Sequence, residues 1–127
     1  MINKEDLVFE TVATALRDEF PGIYVIGTEL SNDPPRFPAV TIVQSNNSTQ
    51  TAYSTFGGLE NVVSEEYKAE VFSNLEQGKE KQTAEITEVI SDAMLSINYV
   101  RTFCEFVPNM DATISRKVSR YSKNNVI

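Results

Sequence analysis

Two hydrophobic periods alternate along this chain. From residue 3 to residue 20, Leu7, Val8, Val12, Ala15, Leu16 and Phe20 recur at the spacing of one helical stripe. Asn3 suits the N-cap, and Glu5 and Asp6 fall in the first turn, where the helix dipole favours acids. Pro21 cannot continue the helix and Gly22 permits a turn, so the stripe stops there. A second stripe, Ile86, Ile90, Ala93, Met94 and Ile97, predicts another helix over 79–98, with Glu80, Glu85, Glu88 and Asp92 elsewhere on it.

The remaining apolar segments follow the period of a strand. In "VVSEEYKAEVFS", residues 62–73, Val63, Tyr67, Ala69 and Val71 point one way, and Ser64, Glu66, Lys68 and Glu70 the other. One face is expected in the core and the other in water, as in an antiparallel sheet. "IYVIGTEL" (23–30) reads as a short strand, and "FPAVTIVQS" (37–45) as a longer one with Pro38 at its start or on an edge. "YVRTFCEFV" (99–107) and "ATISRKVSRYS" (112–122) make a hairpin across Pro108 to Asp111.

The order α-β-β-β-α-β-β predicts an α+β fold: a mostly antiparallel sheet of about five strands, with both helices packed on one face. A single domain over 1–127 is expected, because neither an internal repeat nor a linker interrupts the pattern. The low-complexity feature is a polar, Gly-containing stretch over about 45–60, too long for a tight turn and expected to be a loop. Tyr53 and Phe56 would be wasted there if always solvated. They pack on their own domain or are ordered by a partner.

Charge changes this picture at one end. The chain of 127 residues has a net charge of −7, from 18 acidic and 11 basic side chains. Arg116, Lys117, Arg120 and Lys123 all lie in 112–127, which contains no acid. An acidic body is a poor match to duplex nucleic acid, which demands a broad basic surface. One basic strip suits an acidic protein surface better, including that of another copy. The strip has a blander explanation, since Lys and Arg commonly protect an exposed edge strand from aggregation.

Candidate chemistry is thin. There is no His, which removes the commonest general base and metal ligand. Cys104 is the only cysteine, so no intramolecular disulfide forms, and its apolar setting suits a small buried hydrophobe. Glu65 and Glu66 are adjacent on a strand and so face opposite ways. Glu66 and Glu70 flank Lys68 as on a solvated strand face. "FGGLEN" lacks the Lys-Ser/Thr and the strand-to-helix context of a phosphate loop. The longest apolar runs are too short to span a bilayer, and the charged start "MINKEDLVFE" does not resemble a Sec-type signal.

The arrangement resembles the tail-terminator and minor head–tail joining (tail completion) proteins of long-tailed bacteriophages, with the lambda-type tail terminator as reference. The resemblance lies in the short N-terminal helix and in "RFPAVTIVQSNN", similar to the family's Phe-Pro strand running into a polar loop. It lies also in "EEYKAEVFSN" followed by "GKEKQTAEITEVISDAML", and in the closing "ISRKVSRYSKNNV" with its Arg-Tyr pair.

The resemblance implies a non-enzymatic structural protein of the virion, from a phage or prophage, assembled in the bacterial cytoplasm. Its expected partners are copies of itself in a ring, six in number as the resemblance implies, with the tail tube protein and the head connector protein. DNA only passes through the ring, and no cofactor, metal or membrane is involved. Arg116, Lys117, Arg120, Lys123, Tyr53, Phe56, Glu66 and Glu70 are the expected subunit or tube contacts, the cations facing Glu65, Glu66, Glu70 or the second-helix carboxylates of the next subunit, or equally the tail tube or its channel. The alternatives are another connector ring of the neck, or a small α+β adaptor acting as monomer or dimer.

Overall fold

A computed structural model describes residues 5–28, 34–49, 62–108 and 111–126. Its elements are α1 (Glu5–Glu19), β1 (Tyr24–Ile26), β2 (Ala39–Thr49), β3 (Val62–Ser73), α2 (Lys79–Ser96), β4 (Val100–Val107) and β5 (Ser115–Val126). The order is the expected one, and the fold is α+β. The expected N-cap Asn3 lies outside the described residues.

Local chemistry sets the element ends. Gly22 follows α1 with φ 86, a left-handed conformation that glycine adopts without a Cβ penalty. After α2 the chain turns through Asn98, at φ 69, a value that Asn tolerates better than most side chains. The Tyr99 N–H then donates to the Met94 carbonyl at 2.9 Å, satisfying one of the helix's last acceptors. This turn sends Tyr99 straight into the core.

The strands form one sheet in the order β1-β2-β3-β5-β4. β1 pairs with β2 in parallel, and the other three pairings are antiparallel. Two sequence expectations change here. β5 is not an edge strand: it lies between β3 and β4, so its cations do not protect an open edge. The polar stretch from residue 45 also starts as strand, because β2 continues through Thr49 opposite Val63. A polar segment can be a strand when its partner supplies the ladder, and β3 does so here.

Both helices cover the same side of the sheet. Their buried residues are Val8, Val12, Ala13 and Leu16 from α1, and Thr83, Ile86, Thr87, Ile90, Ala93 and Met94 from α2. They close on Val25, Val40, Ile42, Tyr67, Ala69, Val71, Tyr99 and Tyr121. Leu7, expected in the α1 stripe, is instead 52% exposed.

Among the described residues, the opposite side of the sheet carries no helix, yet it is not simply wet. Ala39, Phe72 and Ile114 form a small second cluster there, with Tyr24 and Phe37 packed against it. Glu70 and Phe72 are buried on this face, where the alternation of β3 alone predicts solvent. Long side chains from β5 lie across them, as the next section describes.

Candidate interaction surface

The register of β3 and β5 decides what the basic segment does. Glu70 stands opposite Val118, one step from Arg116, and Glu66 stands opposite Ser122, one step from Arg120. On a twisted antiparallel pair, such diagonal neighbours are within reach of long side chains. Arg116 grips Glu70 with two nitrogens, its Nε donating to Oε2 at 2.6 Å and its Nη2 pairing with the same oxygen. Lys68 adds a contact of 3.3 Å to the other oxygen of Glu70. Arg120 reaches Glu66 at 3.2 Å, and the Ser45 hydroxyl donates to the same carboxylate oxygen at 3.1 Å.

The expected partners Glu66 and Glu70 are therefore held by their own chain. The two arginines also lie over aromatic rings, Arg116 at 5.8 Å from the centroid of Phe72 and Arg120 at 6.0 Å from that of Phe103. Their apolar stems cover the sheet while the charged heads find carboxylates. This explains how Glu70 comes to be only 6% exposed on a face without helices.

Glu65 lies on the other face. It is 0% exposed, beneath the helices, and accepts a hydrogen bond of 2.5 Å from the Tyr99 hydroxyl. It cannot reach a neighbouring subunit. The Tyr99 ring meets Tyr67 edge-on, with centroids 5.4 Å apart at 84°. Burial, then the nearby Glu65, pushes both phenols well above their ordinary range. Lys123 stands opposite Glu65 in the register, donates to the Ile97 carbonyl at 3.3 Å and lies 5.4 Å from the Tyr99 ring.

Lys117 differs from the other cations of this segment. It lies 4.7 Å from the centroid of Phe106, and among the described residues no carboxylate is within ion-pair distance of it. It borders β4, the long open edge of the sheet. Val100, Phe103 and Phe106 project from that edge at 59%, 37% and 51% exposure. Cys104, expected to be buried, is half-buried here because its strand is an edge. Sequence reasoning missed β4 as a surface, since an apolar run reads as core until its place in the sheet is known.

Arg101 holds β4 to α2 through Glu88, at 3.2 Å, and Ser91, at 3.3 Å. The Tyr121 hydroxyl also meets Ser91, at 2.9 Å. On the far side, α1 presents Asp6, Glu10, Asp18 and Glu19 outward, with Arg17 as its one described cation. Tyr53 and Phe56, expected as contact residues, lie outside the described residues.

No family model and no curated protein matches the sequence. Among solved structures, the chain is similar to one described as the structure of bacteriophage SPP1 gp17 protein. The two share 12% identity at a TM-score of 0.45, over 97% of this chain and 93% of that one.

Proposed function

We propose that this chain is a structural subunit of a phage or prophage tail or neck. In this reading copies of it form a ring, of six by the family resemblance, at the head-proximal end of the tail tube. The ring ends tube growth and joins tail to head, with tube protein on one side and head connector on the other. DNA passes through it unread, and the protein carries out no catalysis.

The observation that supports this is the uneven surface. One side of the molecule has a long open strand with projecting aromatics and cations, and the other has an acidic helix. Such a pair of unlike surfaces suits a heterologous contact, the kind from which rings are built. Aromatic side chains on an exposed edge are otherwise a liability in a lone protein. The stretch containing Tyr53 and Phe56 then meets the tube or a neighbour, and Lys117 and Lys123 contribute cations at the joins.

The test is assembly. Sedimentation over a wide concentration range, with electron microscopy of the heaviest species, is expected to show closed rings. Added to growing tail tubes, the protein is expected to sit at one end and arrest elongation. Tubes that lengthen at an unchanged rate, with no density at their ends, would overturn this reading.

A further inference from the structure

We propose that Phe106 and Lys117 of one copy insert, as an aromatic side chain capped by an ammonium, into an acid-rimmed pocket beside α1 of a second copy. This rests on the ring reading above and names its joint. Phe106 is the natural anchor: it projects from the open β4 edge, and its ring is already topped by a lysine without a described carboxylate. Buried aromatic anchors of this kind dominate many protein interfaces.

The matching hole is on the same molecule but out of its own reach. A cavity of about 240 Å³ lies between the start of α1 and β2. Phe9, Ile42 and Tyr67 supply apolar wall, Gln44 an amide, and Glu5 and Asp6 the acidic rim. The cleft is open to solvent on one side, and its volume exceeds the ~150 Å³ that admits benzene in an enclosed apolar cavity. β3 and β5 separate β2 from β4, a span of roughly 14 Å at three strand spacings. The occupant is therefore a second copy, and the rim and the ammonium carry opposite charges.

The obvious competitor is two β4 edges pairing with each other. The register of β4 shifts between Arg101 and Phe103, so Arg101 turns toward α2 while Glu105 faces the helix-free side. Two such strands cannot share one unbroken register, and a bulge is a known guard against edge pairing. Pairing would also leave the acid-rimmed pocket beside α1 without an occupant. The anchor-in-pocket contact joins unlike charges instead and leaves each copy with one free knob and one free hole.

The experiment compares self-association of the full chain and its variants by sedimentation, with melting curves to confirm that each variant is folded. Phe106→Ala and Lys117→Glu are each expected to weaken association roughly tenfold or more. Asp6→Lys should do the same from the other side, and mixing it with Lys117→Glu should restore assembly, because both joints then pair opposite charges again. Folded variants that associate as well as the native chain, or a charge-swapped mixture that fails to recover, would overturn this contact and leave the ring reading standing on another surface. A native chain that never associates, alone or on tail tubes, would overturn both.

Discussion

Glu65 and Glu70 lie on opposite faces of β3, and both are hidden from water, at 0% and 6% exposure. Their covers differ in kind. Glu65 is sealed under two helices and held by a tyrosine hydroxyl. Glu70 has no helix above it among the described residues and is held by Arg116 and Lys68. The first face hides its carboxylate beneath packed helices, and the second beneath partly exposed arginine and lysine side chains. Packing is insensitive to salt, whereas an arginine cover at the surface is screened by it. The same strand thus carries a stiff face and a face whose strength depends on ionic conditions.

The largest effect should come from the packed face. Ile90→Ala empties a fully buried site and is expected to cost about 2–5 kcal/mol in denaturant unfolding. Tyr99→Phe keeps the ring but leaves Glu65 without its hydroxyl donor, an expected loss of about 1–3 kcal/mol. A smaller effect for Ile90→Ala than for Arg116→Met would break the comparison.

The tyrosines also give the packed face a pH signature. Their phenols are pushed up in the folded state, chiefly by burial, so the neutral form is favoured there. That stability is complete below the unfolded tyrosine value of about 10 and falls as pH rises above it. Each phenol contributes a slope of up to ~1.4 kcal/mol per pH unit, so Tyr99→Phe should flatten alkaline unfolding.

The helix-free face should respond less to mutation and more to salt. Arg116→Met keeps an apolar stem over Phe72 but removes the ion pair, and is expected to cost about 1–2 kcal/mol, since the arginine side chain is 30% exposed. Repeating the measurement in 1 M salt should shrink that cost, while the cost of Ile90→Ala stays constant. The smallest effect is set by Lys81 and Glu85, 3.9 Å apart on the outer surface of α2. Lys81→Ala should change stability by less than about 0.5 kcal/mol.

Much of this fold was legible in periodicity. β3 spans the predicted 62–73, and Ile86, Ile90, Ala93 and Met94 form the buried stripe of α2 as expected. Local patterns determine such features, so local reading finds them. The place of each strand in the sheet is not local. β5 was expected to need protection as an edge, yet β3 and β4 flank it, and the true edge is the apolar β4. The Arg–Glu pairs depend on register for the same reason. Glu65 left a signal that could have been read, because the alternation of β3 puts it on the face of Tyr67 and Ala69.

The pairing of β3 with β5 has a consequence for time. It joins Val62 to Val126 and Ser73 to Ser115, partners 64 and 42 positions apart along the chain. Closing such loops costs entropy before any contact repays it, and chains rich in distant pairings fold on the slow side, in milliseconds to seconds. α1 and α2 can flicker into shape early, within about a microsecond, but the five-stranded sheet beneath them is complete only once β5 slots between β3 and β4. A chain cut before Ser115 would lose the middle of its sheet, not its margin, and would leave β4 without its strand partner while β2 and β3 still lay beneath α1.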